Sequence, residues 1–266
     1  MTAQPGDVQR RMWTIGDYPT IARHLAPISA ETVEALGLEV GDRVLDVGVG
    51  TGNAAIEAAR RGAIVTGIDL TPAQIERARD RCAQEGVDVE LRVGDADDLD
   101  VPDATFDVVL SVMGVIFAPD PARAINEMTR ACRPGGTVAL TAWAVDGWSM
   151  AWRRRVAHLM PAPPPGRPTP EEWGDPATAA RRLAEAGLDP TVEVRPFFWR
   201  FPSGTAARDV FVGAAGPFVA FMEDASARGL GKEALDHLTA AIDESNQATD
   251  GTCVLSAPYL LAIGRR

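Results

Sequence analysis

The residues with the clearest chemical potential stand in one short stretch, Val44-Leu45-Asp46-Val47-Gly48-Val49-Gly50-Thr51-Gly52. An apolar run enters a turn with glycine at every second position. Glycine permits backbone angles closed to other residues and lets a ligand lie against the main chain. Asp46 puts a carboxylate at the head of that turn. Two more acids follow at similar places: Asp69 closes the next apolar run, in Gly67-Ile68-Asp69-Leu70-Thr71-Pro72, and Asp95 follows the third, in Val93-Gly94-Asp95-Ala96. A carboxylate placed as Asp69 is, with Leu70 beside it, can accept both hydroxyls of a ribose. Asp95 can accept from an adenine amino group while the backbone N–H of Ala96 faces the ring. Singly, each feature has a plainer reading, a tight turn or an acid that caps a helix. Three acids on successive strand ends behind one glycine loop are harder to explain that way.

The main rival for such a loop is the dinucleotide fingerprint GxGxxG, which would need glycine at position 53. Asn53 stands there. Asp46 would also repel a pyrophosphate, whereas a ligand carrying an ammonium and a sulfonium would be attracted. A nucleotide-dependent oxidoreductase is therefore the weaker reading.

These residues need a scaffold, and the surrounding pattern supplies one. Apolar runs at Arg43–Val47, Ala63–Ile68, Val89–Val93, Phe106–Val112 and Thr137–Trp143 are rich in Val, Ile and Leu, as strands buried on both faces should be. Helical stretches at Asn53–Arg61, Pro72–Glu85 and Pro121–Arg130 lie between them. Thr71 can cap the second, and Pro72 suits its first turn. Such alternation implies right-handed crossovers and an α/β fold with a mostly parallel, doubly wound sheet. A helix over Tyr18–Leu36 precedes the sheet. After it, helices are expected over Gly147–Met160 and Asp175–Ala186, with a proline-dense surface loop, Pro161 to Pro170, between them. An extended aromatic segment, Thr191–Phe201, then leads to helices over Thr205–Ala225 and Lys232–Asn246, with a break near Arg228-Gly229. A last strand is expected over Cys253–Ile263.

The pattern resembles the class I S-adenosylmethionine-dependent methyltransferases, and within them the small-molecule group that includes the menaquinone and ubiquinone C-methyltransferases. The likeness is specific from Arg43 to Trp143. Asp46-x-Gly48-x-Gly50-x-Gly52 matches the family's first motif, Asp69 its ribose-binding acid and Gly94-Asp95-Ala96 its adenine-binding segment. Phe106-Asp107-Val108-Val109-Leu110-Ser111 matches the fourth strand, and Cys132-Arg133-Pro134-Gly135-Gly136 the turn before the fifth. The resemblance implies S-adenosylmethionine as cofactor, with Ser111 and Met113 beside its methionine part. It also implies a Rossmann-like, seven-stranded sheet whose last strand is antiparallel. The aspartate/asparagine-Pro-Pro-aromatic motif of enzymes that methylate amino groups of nucleic acids is replaced by Ser111-Val112-Met113-Gly114.

Methyl transfer from a sulfonium is an in-line displacement favoured by positioning and by exclusion of water. A cover is therefore expected. Residues 1–40 form one candidate; resemblance places Trp13 and Tyr18 near the cofactor, while an aromatic clasp anchoring the N-terminus explains them equally well. Residues 203–246, an inserted helical cap carrying Phe211, Phe218 and Phe221, form the other. Trp143, Trp148 and Trp152 follow the fifth strand. Together these rings favour a planar or apolar acceptor. Of the three histidines, His24, His158 and His237, His24 is the first candidate for a general base, with Tyr18 behind it. Arg153, Arg154 and Arg155 read as a solvated helix face with one arginine paired to an acid. No metal-ligand spacing is recognisable, so metal-assisted transfer is not expected.

Composition bounds the rest. The 266 residues, 46% of them hydrophobic, suit a single domain built on a cofactor-binding core over 41–145. The formal net charge of −11 disfavours nucleic acid and anionic membrane surfaces as partners. The partner expected is a small-molecule acceptor, aromatic or apolar, of the kind met in secondary metabolism; homodimerisation is left open. Three scattered cysteines argue against a disulfide framework. With a polar Met1–Arg11 and no apolar run long enough to span a bilayer, they point to the cytoplasm. A methyltransferase-like protein that binds the cofactor without turnover would retain the same motifs.

Overall fold

The computed structural model describes residues 5–160 and 169–266, with the side chains described from residue 10 onward. The chain opens with α1 (Pro5–Thr14) and α2 (Tyr18–Leu36), which continues through Pro27. The alternating section follows: β1 (Arg43–Val47), α3 (Asn53–Arg60), β2 (Ile64–Asp69), α4 (Pro72–Glu85), β3 (Val89–Val93), β4 (Phe106–Val112), α5 (Pro121–Ala131) and β5 (Cys132–Trp143). Thr71 sits at the cap position of α4 without a side-chain capping bond, and Gly86 ends the helix with φ at 66°. Asp120 caps α5 by accepting the N–H of Arg123.

Beyond Trp143 come α6 (Trp148–Val156), which tightens into a 3-10 turn over Ala157–Leu159, and α7 (Pro176–Glu185), preceded by a short turn over Pro170–Gly174. Most of the proline-dense loop expected over Pro161 to Pro170 lies outside the described residues. Then follow β6 (Asp189–Arg195), β7 (Phe198–Phe201), α8 (Gly204–Ala214), α9 (Gly216–Ala227), α10 (Gly231–Ser245), β8 (Cys253–Ser256) and β9 (Tyr259–Arg265).

The chain divides into two compact units. The larger comprises 25–142, 168–194 and 260–266; the smaller comprises 1–24, 143–167 and 195–259. The expected N-terminal cover of 1–40 is thus shared between them, while 203–246 falls wholly in the smaller.

The larger unit holds a seven-stranded sheet in the order β3-β2-β1-β4-β5-β9-β6. β1 pairs in parallel with β2 and β4, β2 with β3, and β4 with β5. The last strand is antiparallel, as expected. Its end meets the start of β5: Gly135 N–H donates to the carbonyl of Arg266 at 2.8 Å, and Arg266 N–H to that of Gly136 at 3.1 Å. The section 132–136, expected as a turn before the fifth strand, is drawn into β5. The ladder pairs Phe106 with Cys132 and then Val108 with Thr137, so an irregularity absorbs the extra residues. Val44, Leu45, Val109, Leu110, Val138, Ala139 and Leu140 are fully buried between helical layers. The continuous apolar runs in the sequence reflect that two-sided burial.

The smaller unit is helical around a two-stranded antiparallel ladder that pairs Phe198 with Ser256 and Phe201 with Cys253. Its core is aromatic. Trp152 stacks on Phe218 with ring centroids 4.0 Å apart, and Trp148 lies 4.3 Å from Phe211. Trp148 and Trp152, read from sequence as candidates to line a cavity, are buried packing residues. The expected helix Thr205–Ala225 is two, α8 and α9, bent by 83°. Among the described residues, no single helix is long and apolar enough to cross a membrane.

Candidate cofactor site at the carboxyl ends of β1, β2 and β4

The glycine loop leaves β1 and is held on its under-side by the neighbouring strand. Gly48 and Val49 both donate backbone N–H groups to the carbonyl of Ile68, at 2.8 and 2.9 Å. Gly48, Gly50 and Gly52 all have positive φ, at 74°, 54° and 88°. At Gly48 the requirement is also steric, because a Cβ there would meet the Cα of Gly114 at 3.0 Å. The loop after β1 therefore lies directly on the loop after β4.

Each sequence-predicted acid has a defined environment. Asp46 is 2% exposed. Burial pushes its carboxyl up to about 7, helped by the nearby charge of Asp69 and opposed by a backbone hydrogen bond from Ala55. Asp69, half-buried at the end of β2, accepts the N–H of Gly50 on Oδ2 and that of Thr71 on Oδ1, both at 2.9 Å. Burial raises its pKa, and those two amides oppose the rise. Asp69 thus organises the glycine loop, in addition to the ribose-binding role that resemblance implies. Leu70 continues from it, half-buried. Asp95 accepts the N–H of Asp97 at 3.0 Å, and Ala96 lies between them. The neighbouring Asp97 is raised to about 6, first by burial and then by Asp95, and its Oδ1 is buried without a hydrogen-bond partner.

Ser111 and Met113 form the floor beside Gly48. The Ser111 hydroxyl donates to the carbonyl of Val47 at 2.6 Å and accepts the N–H of Val115 at 2.9 Å, so it ties the β4 loop to the β1 loop. Met113 is buried with φ at 54°, an uncommon backbone for a residue with a side chain. Its N–H donates to Thr141 Oγ1 at 3.0 Å. Strained residues of this kind persist where the surroundings over-determine them, and they concentrate at ligand sites.

Two residues that sequence reasoning did not single out complete the loop. Arg81 on α4 donates to the carbonyl and hydroxyl of Thr51, at 2.8 and 3.1 Å, and to Asn53 Oδ1 at 2.7 Å. Asn53, where a dinucleotide site would need glycine, is thereby the far end of an arginine clamp. Gly114 is the other: a Cβ there would meet the Val47 carbonyl oxygen at 2.9 Å. Neither has a local sequence signal, because each acts across the fold.

Trp13, Tyr18 and His24 belong to the smaller unit. Trp13 and Tyr18 meet edge to face at 5.7 Å. His24 is packed against Trp199 and Phe201, at centroid distances of 5.6 and 5.0 Å. Burial lowers its pKa, and the charge of Arg23 lowers it further. Arg155 pairs with Glu244 at 2.5 Å, which accounts for one arginine of the run at 153–155.

The site fits a cationic nucleoside ligand on its own chemistry. Its buried carboxyl, Asp46, resists ionisation because of burial and the neighbouring charge of Asp69. A buried acid without a counter-charge resists ionisation. An ammonium beside it would reverse that penalty.

A family model described as a methyltransferase domain matches residues 44–136. An uncharacterized protein of Mycobacterium tuberculosis is 35% identical over 216 residues, 79% of this chain and 77% of that protein. The 27-O-demethylrifamycin SV methyltransferase of Amycolatopsis mediterranei is 43% identical over 108 residues, 40% of each chain. Among solved structures, phosphoethanolamine N-methyltransferase 2 of Haemonchus contortus, in complex with phosphomonomethylethanolamine and S-adenosylhomocysteine, superposes with a TM-score of 0.57. That match is 20% identical and covers 90% of this chain and 52% of that one.

Proposed function

The chain belongs to the class I S-adenosylmethionine-dependent methyltransferases, and from that premise we propose that it methylates a small-molecule acceptor, aromatic or otherwise apolar, at oxygen or carbon. When bound, S-adenosylmethionine would supply an electrophilic methyl group on a sulfonium, with a neutral thioether as the leaving group. The chain's own contribution is binding and orientation. Asp46 would face the cationic end, Asp69 would accept ribose hydroxyls, and Asp95 with the Ala96 N–H would take the adenine. Ser111 and Met113 shape the methionine end.

What supports the acceptor class is the aromatic cluster of the smaller unit in which half-buried His24 and Trp143 pack onto Trp199, at centroid distances of 5.6 and 5.9 Å. Such walls suit planar or apolar molecules. A formal net charge of −11 opposes polyanionic substrates. His24 is the general base in this reading, with Tyr18 second. Its lowered pKa keeps the imidazole neutral near pH 7, in the form that accepts a proton.

The test is methyl transfer from labelled cofactor to a panel of phenols and apolar hydroxylated compounds, with polar amines and RNA as controls. Transfer to the first group supports the proposal; transfer confined to amines or RNA overturns it. Binding of cofactor with no turnover across the panel favours the alternative of a cofactor-binding protein without catalysis. Loss of a general base costs about two to four orders of magnitude in turnover. His24→Ala should show such a fall with cofactor affinity intact; a small fall would leave the mechanism to positioning.

A further inference from the structure

A second constellation lies in the smaller unit, among residues that the transfer chemistry does not use. Glu233 and His237 are one turn apart on α10, and residues four apart on a helix share a face. The 3-10 turn Ala157–Leu159, at the end of α6, brings His158 to the same place. His158 Nε2 is 3.6 Å from Glu233 Oε1, and His237 Nε2 is 3.9 Å from that same oxygen. The two imidazoles stand at 86° with centroids 5.1 Å apart. One donor atom from each of the three residues lies within 4.8 Å of the others.

Both nitrogen–oxygen separations are longer than a hydrogen bond. They are close to what an ion between them would impose. Zinc binds imidazole nitrogen and carboxylate oxygen at about 2.0–2.2 Å, which sets tetrahedral ligand atoms roughly 3.3 Å apart. All three side chains are partly or largely exposed, so small rotamer adjustments close the gap. Two neighbouring cations are held by other acids. Lys232 is held by Asp236 at 2.5 Å, and Arg228 by Asp224 at 2.6 Å. We propose that His158, Glu233 and His237 form a binding site for a divalent transition-metal ion of the zinc type. Two imidazoles and one carboxylate are a ligand set that zinc accepts, with water in the remaining position. The ion would clamp the end of α6 to α10 within this unit. None of the three residues is among those assigned to the cofactor.

The experiment uses the untagged 266-residue protein, stripped with chelator and titrated with zinc by calorimetry, alongside cobalt absorption and thermal unfolding. One equivalent of zinc should bind, raise the melting temperature, and give a cobalt spectrum of nitrogen and oxygen ligation. His158→Ala and His237→Ala should each weaken binding by about tenfold or more and lose the melting shift. Glu233→Gln preserves the shape of the side chain and should also bind more weakly, with circular dichroism confirming the fold of each variant. No zinc binding, equal binding by the His158→Ala/His237→Ala double variant, or a cobalt-thiolate band from Cys82, Cys132 or Cys253 would each overturn the assignment.

Discussion

Asp46 is a carboxyl group whose surroundings resist its ionisation, and that makes it a probe of the site. Without ligand its folded pKa of about 7 lies above the unfolded value of 3.8. The stability this contributes is fully present below about pH 4 and is lost as pH rises through about 7. Asp97, raised to about 6, acts in the same sense, so the informative quantity is the difference between wild type and Asp46→Asn. The variant should match wild type in melting temperature near pH 4 and exceed it at pH 8. Cofactor affinity of wild type should rise with pH across the same window, with proton release measured by calorimetry in buffers of different ionisation heat. Asp46→Asn should bind more weakly and lose both effects; the same pH dependence in the variant would mean that Asp46 is not the titrating group. For Asp69, loss of charge-assisted hydrogen bonds predicts a weakening of cofactor binding by roughly 1–3 kcal/mol in Asp69→Ala. Because Gly50 and Thr71 also lose their acceptor, faster amide exchange at Gly50 should accompany it. An unchanged dissociation constant would remove Asp69 from the site. These acids were legible because strand, glycine and carboxylate lie together in sequence. Resemblance implies a place for Ser111 beside the methionine end; that its hydroxyl also bonds Val47, 64 positions away, is visible only once the sheet exists. Arg81 was invisible for the same reason.

At the scale of elements, the interior of the sheet followed from the runs of Val, Ile and Leu, and the departures have a common origin in proline and glycine. The expected extended segment Thr191–Phe201 divides at Pro196, with β6 in the large sheet and β7 in the small one. The expected last strand divides at Pro258, with β8 in the small sheet and β9 in the large one. Proline has no N–H for a ladder and is poorly placed inside a strand. Both residues were in plain view, but their partners in the sheets were not. The α8–α9 bend falls at Ala215, just before Gly216-Pro217, and Pro217 lies in the first turn of α9. Gly216 is there for space: a Cβ would fall on the carbonyl of Met12, at the α1 end of the same unit. Gly216→Ala should therefore destabilise the protein by about 1–3 kcal/mol, the usual cost of overpacking. Limited proteolysis should cut α1 sooner in this variant than in wild type. A melting temperature equal to wild type would show that α1 yields freely.

For the whole molecule, the decisive feature is how the chain is shared out. Each unit is assembled from three separate stretches, and the sheet is completed only by the last seven residues of its unit, 260–266. β9 lies between β5 and β6, so β6 reaches the sheet only through it. Arg265 donates to Thr137 Oγ1 at 2.7 Å, and Arg266 to the carbonyl of Arg130 at 3.1 Å, so the end of the chain also ties down β5 and the end of α5. Composition and periodicity point to a parallel core over 41–145 but could not reveal this interleaving, which depends on pairings between distant segments. Removing the strand exposes two ladder edges at once, that of β5 and that of β6, and leaves the buried Leu260, Leu261 and Ala262 unfilled. Exposed ladder edges pair with other chains. A protein ending at Pro258 should thus be recovered mainly as aggregate, with no cooperative melting transition. The control that keeps all 266 residues is Arg265→Ala, which loses one side-chain bond but keeps the strand; it should stay folded and melt only slightly lower. If the truncated chain instead melted cooperatively and bound S-adenosylmethionine with wild-type affinity, the strands from β3 to β5 would form a self-sufficient core and the closing role assigned to β9 would be wrong.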